Sequence, residues 1–210
     1  MSAGAEVVIV ASGANLASLE FAFERLGAAA CISSDAARIR SATHIVLPGV
    51  GAADEAMRVL GRQGLDRLIP TLSQPVLGIC LGFQLLHQAS EEGEARCLGL
   101  IEGTAVRFRE APGRPVPHMG WNTLCITRGS RLLDGLRDGE YFYFVHSYAL
   151  PPGNATVATS DYGQPFSACV EQRNYFGVQF HPERSAAAGA RILENFLAIG
   201  SRVAAEPLCA

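Results

Sequence analysis

The sequence has no cluster of basic residues, no long apolar run and no two cysteines in C-x-x-C spacing. Proteins that bind nucleic acid usually carry a basic block or stripe, and here the formal net charge is -3 without any such block. No apolar stretch approaches the roughly 20 residues that a helix needs to cross a bilayer. The apolar run near the N-terminus has no basic region before it, which argues against a signal peptide. We therefore expect no nucleic acid, no membrane and no secretion signal.

The six cysteines are scattered singly along the chain, at positions 31, 80, 97, 125, 169 and 209. This spacing argues against a zinc cage or a redox pair, so we expect neither a metal nor a cofactor. In a chain of this size, isolated cysteines are typical of reduced thiols in the cytoplasm. A cytoplasmic location leaves one of them free to act as a nucleophile.

The length and composition suit one compact domain. The 210 residues are 49% hydrophobic and 18% charged, which allows a substantial core and argues against disorder. In the first half, apolar strand-like runs at 7–10, 44–47 and 76–79 alternate with helix-like segments, which predicts a parallel sheet covered on its two faces. The second half has strand-like runs between turns, which predicts antiparallel strands. We predict a single α/β domain over residues 1–210 with three layers, a mainly parallel central sheet and antiparallel strands in the second half.

A helix is expected after Gly82, over residues 83–88, because the segment is compatible with helical periodicity. Residues 141–149 read as one strand, and residues 187–199 read as a closing helix. No repeat, low-complexity tract or domain boundary interrupts the chain.

The segment Gly78-Ile79-Cys80-Leu81-Gly82 is the most informative part of the chain. A Gly-x-Cys-x-Gly between a strand and a helix is the cysteine form of the nucleophile elbow, in which the glycines permit a sharp turn. A cysteine at a helix N-terminus is favoured as the thiolate, and the N–H of Leu81 is placed to donate to an oxyanion. The alternative is a buried core cysteine in a glycine-rich turn.

A cysteine nucleophile needs a base, and the segment His181-Pro182-Glu183 offers one. A residue before proline is extended, and residues two apart in extended chain face the same way. We therefore expect Glu183 to hold the imidazole of His181 in the useful tautomer. The alternative is an ordinary surface turn.

The turn Pro48-Gly49-Val50-Gly51 follows a predicted strand and is a candidate oxyanion cradle. Its glycines leave mobile, unshielded N–H groups that could point at a developing negative charge. Taken alone, the same residues fit an ordinary strand-to-helix turn.

Together the elbow, the following Gln84-Leu85-Leu86 and the His-Pro-Glu segment resemble the class I glutamine amidotransferases, which hydrolyse the side-chain amide of glutamine through a thioester. Within that family, four further segments are similar to the glutaminase subunits of imidazole glycerol phosphate synthase. They are residues 47–51 (LPGVG), 117–122 (PHMGWN), 143–148 (YFVHSY) and 177–185 (GVQFHPERS). The resemblance covers essentially the whole chain.

The resemblance implies a role for each matching position. Cys80 would be the nucleophile, His181 the base and acid, and Glu183 the orienting carboxylate. The N–H of Leu81 and the turn from Gly49 through Val50 to Gly51 would form the oxyanion hole. The positions that match glutamine-binding residues are Gln84, Glu92, His146 and Ser147. A carboxylate such as Glu92 suits the ammonium group of a glutamine zwitterion.

The resemblance also implies a partner, a separate cyclase subunit with a (β/α)₈ barrel, joined to this chain as a heterodimer. There the ammonia would be used to make imidazole glycerol phosphate and aminoimidazole carboxamide ribotide in histidine biosynthesis. Because free ammonia in neutral water is mostly protonated, a sealed passage between the subunits is physically sensible. The positions that match the interface or its gate are Asn15, Trp121, Tyr143 and Arg184; Trp121 could equally be a core residue.

One departure and several alternatives remain beside this interpretation. The first strand lacks the acidic residue usual in these subunits, and Ala11 lies near its place, so docking could be altered. The chain could serve an amidotransferase with another acceptor, in a purine, anthranilate or pyridoxal pathway, or be a non-catalytic binding module on the same fold. A cysteine peptidase of related fold is a further alternative, against which the positions of Gln84 and Glu92 weigh.

Overall fold

The structure is a computed structural model that describes residues 5–11 and 16–202. Its strands, in chain order, are β1 (Glu6–Val10), β2 (Ala29–Ser33), β3 (His44–Leu47), β4 (Val76–Ile79), β5 (Ala89–Ser90), β6 (Ala95–Arg96), β7 (Thr104–Arg107), β8 (His118–Thr123), β9 (Cys125–Ile126), β10 (Tyr141–His146), β11 (Tyr148–Ala149), β12 (Thr156–Asp161), β13 (Pro165–Gln172) and β14 (Tyr175–Val178). The helices are α1 (Ala17–Arg25), α2 (Ala36–Ser41), α3 (Ala53–Arg62), α4 (Leu65–Leu68), α5 (Leu81–Leu85) and α6 (Ala186–Arg202).

The central sheet contains eight strands of the described chain, in the order β2-β1-β3-β4-β14-β13-β12-β9. Neighbours from β2 to β14 are parallel, whereas β13, β12 and β9 continue the sheet with antiparallel pairing. This confirms the predicted sheet, mainly parallel with antiparallel strands from the second half of the chain. Two smaller sheets lie beside it, β8 with β10 and β11-β7-β5-β6.

Helices cover the two faces of the sheet, as predicted. Side chains alternate along a strand, so Val7 and Ile9 of β1 join one apolar cluster and Val8 and Val10 join another. The first cluster contains buried residues of α1 and α6, and the second contains buried residues of α2, α3, α4 and α5. The three-layer α/β architecture follows from this division. Among the helices in the described ranges, none combines the length and apolar character that a membrane crossing requires.

The predicted strand over residues 141–149 is wrong as a single element. It is interrupted at Ser147, where the chain leaves one sheet for another: β10 pairs with β8, and β11 pairs with β7. The carbonyl of Ser147 accepts a hydrogen bond of 2.9 Å from the N–H of Phe108. Ser147 is therefore held at a crossover between sheets.

The helix predicted over residues 83–88 instead spans Leu81–Leu85. It ends early because N–H groups of a following loop bond to the carbonyls at its end. The N–H of Leu98 donates to the carbonyl of Leu85 at 2.9 Å, and those of Leu100 and Ile101 donate to the carbonyl of Leu86 at 2.9 and 3.0 Å. Helix α2 was not predicted at all. Its signal is local, since the side chain of Asp35 accepts from the N–H of Arg38 at 2.8 Å and so caps the helix.

The parallel strands β3, β4 and β14 are neighbours, and their carboxyl ends lie at the same edge of the sheet. In register, Leu47 of β3 is opposite Gly78 of β4, and Val178 of β14 is opposite Ile79. The residues that follow these strands are the 48–51 turn, Cys80 and the segment leading to His181. The topology therefore gathers three segments that are far apart in sequence, at the edge where open α/β sheets place their sites.

Candidate active site

Cys80 sits in a backbone conformation that only a sharp turn requires. Its φ of 54° and ψ of -111° lie outside the regions that side chains favour, and strain of this kind is maintained by the surrounding structure. The Cys80 N–H donates to the carbonyl of Val178 at 2.9 Å, and the Cys80 carbonyl accepts from the N–H of Gln84 at 3.2 Å. The thiol is thereby fixed between the end of β4 and the first turn of α5, as the Gly-x-Cys-x-Gly pattern predicts.

The two glycines of this elbow are needed for close approach. A Cβ on Gly78 would lie 2.7 Å from the carbonyl oxygen of Gly82. A Cβ on Gly82 would overlap the carbonyl oxygen of Leu47, at the end of β3. Since neighbours made of backbone cannot rotate away as a side chain can, any side chain at these positions forces the strands or α5 to shift.

We expect Gly82→Ala to lower the free energy of unfolding by roughly 1–3 kcal/mol, because the new methyl group meets backbone at the end of β3. For a domain of this size that is a fall in melting temperature of roughly 3–10 °C. The matched control is Gly153→Ala, since a Cβ on Gly153 meets nothing within 4 Å. Thermal unfolding of the two variants that gave equal melting temperatures would contradict the close packing of the elbow.

His181 and Glu183 form an ion pair beside the elbow. Nδ1 of His181 is 2.9 Å from Oε1 of Glu183, and the side chains are only 12% and 5% exposed. His181 is extended, with φ -99° and ψ 98°, but Pro182–Arg184 form a single 3₁₀ turn. The two side chains therefore meet through a turn. The sequence predicted that they would meet through a continuous extended chain.

The environment of His181 favours its protonated form. Burial lowers the pKa of the imidazole, but the neighbouring Cys80 thiol and the Glu183 carboxylate outweigh burial and raise the pKa to about 10. Because Nδ1 is engaged by Glu183, Nε2 is the atom left for the thiol. Within the described chain, Nε2 makes no hydrogen bond of ordinary geometry.

The backbone around His181 is tied to strand β10. The His181 N–H donates to the carbonyl of Tyr143 at 3.0 Å, and the hydroxyl of Ser185 donates to the carbonyl of His181 at 2.6 Å. The same hydroxyl accepts from the N–H of Tyr143 at 3.0 Å. Tyr143 and Ser185 thus fix the backbone of His181, from which the imidazole projects.

The turn from Gly49 to Gly51 lies against the start of α5. A Cβ on Gly49 would lie 2.9 Å from the nitrogen of Gly82, and Gly51 has a φ of +89°, which favours glycine. Within the described residues, no hydrogen bond engages the N–H groups of Gly49, Val50, Gly51 or Leu81. These donors remain available to an acceptor in the space between the turn and the elbow.

A cleft of about 330 Å³ joins these elements. Its walls contain most of the residues singled out from the sequence: Gly49, Val50, Gly51, Cys80, Leu81, Gln84, Glu92, His146, Ser147, His181 and Arg184. Glu183 contacts His181 from outside the cleft. The volume suits a small molecule, and Cys80, His181 and the residues of the 49–51 turn line the same space.

The polar side chains that line the cleft are held in defined orientations. Gln84 donates through Nε2 to the carbonyl of Tyr148 at 2.9 Å and to Oε1 of Gln179 at 3.0 Å. Glu92 accepts from the N–H of Ala53 at 3.1 Å through Oε2. Burial raises the pKa of the Glu92 carboxyl, and the hydrogen bond from Ala53 works against that rise.

His146 is neutral and is part of a buried hydrogen-bond chain. Burial lowers the pKa of His146 to about 3. The hydrogen bond of 2.8 Å from its Nδ1 to the carbonyl of Tyr148 raises the pKa, but by less than burial lowers it. Nε2 of His146 is 3.0 Å from Nδ1 of His118, whose own pKa burial lowers to about 4. Since a carbonyl only accepts, Nδ1 of His146 carries the proton, and His118 must donate to its Nε2.

Sequence reasoning did not identify His118, Gln179 or Ser185 as site residues. His118 lies in the segment 117–122, and Gln179 and Ser185 lie in the segment 177–185. These segments carry the resemblance, so the sequence did indicate that their residues belong near the site. What the sequence could not reveal is that their side chains turn inward, toward His146, Cys80 and the backbone of His181.

Three aromatic side chains and a methionine form an exposed face next to the cleft, which we call the aromatic face. This face consists of Met119 and Trp121 of β8 with Tyr141 and Tyr143 of β10, and Met119, Trp121 and Tyr141 are 63%, 53% and 61% exposed. The Trp121 and Tyr143 rings contact edge to face with centroids 6.1 Å apart. The guanidinium of Arg184 lies 4.5 Å from the centroid of the Tyr143 ring. Asn15, the fourth predicted interface residue, lies outside the described residues.

The remaining thiols do not join the site. Those of Cys31, Cys97, Cys125 and Cys169 are free, like that of Cys80, and Cys209 lies outside the described residues. Burial raises the pKa of the Cys97 thiol to about 11. In the described residues, no three or more His, Cys, Asp or Glu side chains are grouped as metal ligands.

Comparison with known proteins identifies the relatives of this chain. The family model for glutamine amidotransferase class-I matches residues 14–199. The imidazole glycerol phosphate synthase subunit HisH of Vibrio cholerae is 50% identical over 198 residues, covering 91% of this chain and 97% of that protein. The subunit of the same name from Yersinia pseudotuberculosis is 50% identical over 194 residues, covering 91% and 98%.

The fold has solved counterparts as well. The crystal structure of a putative GMP synthase subunit from Thermoplasma acidophilum matches with a TM-score of 0.76 and 20% identity, over 97% of this chain and 98% of that one. At that identity the match concerns the fold alone. With the family model covering most of the chain and relatives at half identity, the chain belongs to the class I glutamine amidotransferase family, among the proteins similar to HisH subunits.

Proposed function

We propose that this chain is the glutaminase subunit of an imidazole glycerol phosphate synthase and hydrolyses glutamine to glutamate and ammonia through a thioester on Cys80. The observation that carries the proposal is the convergence of Cys80, the His181–Glu183 pair and unengaged N–H groups on one cleft. The names and 50% identity of its relatives indicate the pathway.

In the first half-reaction, the Cys80 sulfur attacks the side-chain amide carbon of glutamine while His181 holds the proton that the thiol has given up. The carbonyl oxygen takes the negative charge and is stabilised by the N–H of Leu81 and donors of the 49–51 turn. His181 then gives its proton to the amide nitrogen, the carbon–nitrogen bond breaks, and ammonia leaves. The acyl group remains on sulfur as a thioester.

In the second half-reaction, a water molecule attacks the thioester and His181 accepts its proton. The carbon–sulfur bond breaks, glutamate leaves, and the proton on His181 restores the imidazolium–thiolate pair. Glu183 keeps Nδ1 protonated throughout, so Nε2 is always the atom that exchanges the proton.

Recognition of glutamine rests on the other cleft residues. Glu92 offers a carboxylate for the α-ammonium group, and its hydrogen bond from Ala53 holds one oxygen in place. Gln84, His146 and Ser147 also line the cleft. Gln84 and His146 are oriented by the carbonyl of Tyr148, and Ser147 is held at the crossover between sheets.

The aromatic face is our proposed docking surface for the cyclase subunit. Met119, Trp121 and Tyr141 are each more than half exposed, and large apolar side chains are costly to leave in water. Aromatic, methionine and arginine side chains are enriched at protein interfaces. Arg184 lines the cleft and also stacks on Tyr143 of this face, so the surface adjoins the place where ammonia forms. We further propose that the heterodimer works in the cytoplasm.

The test is glutamate release with and without the cyclase subunit plus its ribotide ligand. Because Gly49 and Gly51 leave the backbone of the 49–51 turn free to change conformation, we expect its N–H groups to be aligned fully only in the complex. The isolated chain should then be a poor glutaminase, and the complex should be stimulated about 10²-fold. Trp121→Glu should remove most of the stimulation by placing a charge on the aromatic face.

Ile32→Glu is the matched control, because Ile32 is a 37% exposed apolar residue on the edge strand β2. It should leave the stimulation intact. Activity that never depends on the cyclase would indicate another acceptor pathway, and no activity in any condition would indicate a non-catalytic module.

A further inference from the structure

A buried glutamine lies directly behind the nucleophile. Gln179 follows strand β14, is fully buried, and donates through Nε2 to Sγ of Cys80 at 3.8 Å, which is within reach for a hydrogen bond to sulfur. Its N–H is fixed by a bond of 2.9 Å to the carbonyl of Ala168. A buried polar side chain aimed at a reacting atom calls for an explanation beyond packing.

The orientation of the Gln179 amide follows from its neighbours. The carbonyl of Tyr148 can only accept, so Gln84 must turn its Nε2 toward it, at 2.9 Å. The same Nε2 lies 3.0 Å from Gln179, which must therefore present Oε1 to Gln84. The amide nitrogen of Gln179 is then left facing the sulfur.

The sulfur also has a neighbour that opposes negative charge. The carbonyl oxygen of Val145 is 3.8 Å from Sγ and accepts from the thiol when the thiol is protonated. Once the proton has gone to His181, this oxygen repels the thiolate, whereas an N–H from Gln179 attracts it.

We propose that Gln179 is a further catalytic residue of this site, which donates an N–H···S hydrogen bond that stabilises the Cys80 thiolate. The proposal deepens the glutaminase function proposed above. The bond is strongest when the sulfur carries negative charge, before attack and again when the thioester breaks. Gln84 acts as a positioning residue for it, because Gln84 fixes which end of the Gln179 amide faces the sulfur.

The test measures the thiol directly and needs no glutamine. The rate of alkylation of Cys80 by iodoacetamide is followed against pH in the full chain, with the adduct identified by peptide mass spectrometry to separate it from the other cysteines. Only the thiolate reacts, so the midpoint of the profile reports its formation. Among the described residues, the titratable or charged groups that line the cleft with Cys80 are Glu92, His146, Tyr148, His181 and Arg184, and Glu183 contacts His181. All of them are unchanged in the variants.

Gln179→Met keeps the length and neutrality of the side chain but has no donor. We expect its alkylation midpoint to rise by roughly one pH unit. Gln179→Glu keeps an acceptor for Gln84 and places a carboxyl group beside the sulfur, so it should raise the midpoint at least as far. The matched control is Gln172→Glu. Gln172 is the last residue of β13, donates to the carbonyl of Leu100 and does not line the cleft, so the change should not move the midpoint.

An unchanged midpoint in a folded Gln179 variant, checked by circular dichroism, would overturn the proposal. If Gln179→Met does not fold, Gln179→Leu, which is also uncharged and has no donor, takes its place. The result stays separate from the proposed function, since a chain that released no glutamate would still give an alkylation profile.

Discussion

Cys80→Ala will reduce glutamate release from glutamine by at least about 10⁴-fold, with the cyclase present, because Cys80 is the only cysteine among the described residues that line the cleft. Removal of a nucleophile leaves only the binding and electrostatic parts of the site, which do not replace covalent catalysis. The backbone strain at position 80 should stay about the same, since alanine must adopt the same φ of 54°. The measurement is steady-state glutamate release by the wild type and the variant in complex.

Cys125→Ala is the matched control for this experiment, because Cys125 is an exposed free thiol on β9. It should keep full activity. Glutamine binding by Cys80→Ala, followed by calorimetry, should persist because Glu92, Gln84 and His146 remain. Turnover by Cys80→Ala within tenfold of the wild type would contradict the thioester mechanism.

The second large effect is expected from His181→Gln, which should lower glutamate release by roughly 10³-fold or more. The substitution removes the group that holds the thiol proton and later protonates the leaving nitrogen. Glutamine could preserve some of the contact with Glu183 but cannot carry the proton. A folded variant, judged by circular dichroism, with near-normal turnover would rule out His181 as the base.

Glu183→Gln should have a smaller effect than His181→Gln and should change the pH dependence of activity. The direction of that change follows from the raised pKa of His181. Below about pH 10 the imidazole keeps its proton, and above that value it can no longer protonate the leaving nitrogen, so activity should fall on the alkaline side. Removing the Glu183 carboxylate removes one cause of the rise, and the alkaline limb of the pH profile should therefore move to lower pH.

The same reasoning applies to stability. A His181 pKa raised by folding stabilises the native state fully below the unfolded value near 6.5, and this contribution disappears as the pH rises through about 10. Glu183→Gln should thus narrow the difference in melting temperature between neutral and alkaline buffer. A pH profile that Glu183→Gln left unmoved would show that Glu183 does not act on the imidazole.

Local sequence patterns were sufficient for the elements that carry the site. Strands β3 and β4 lie where their continuous apolar runs predict, since strands buried on both faces of a parallel sheet need apolar residues throughout. The elbow was also predictable, because the conformation of Cys80 and the contacts of Gly78 and Gly82 leave little choice of residue. The break at Ser147 was not predictable, because long-range pairing decides where β10 ends. The short helix α2 was missed although Asp35 gives it a local cap.

The sequence by itself determined the chemical groups of this protein: a cysteine in a glycine-rich elbow, a histidine two residues before a glutamate, and a glycine turn after a strand. Their proximity was decided only by the tertiary structure, because parallel pairing of β3, β4 and β14 brings the ends of distant strands to one edge. The buried partners, Gln179 behind the sulfur and His118 behind His146, also depend on packing. A hydrogen bond between residues 99 positions apart has no local pattern that could predict it.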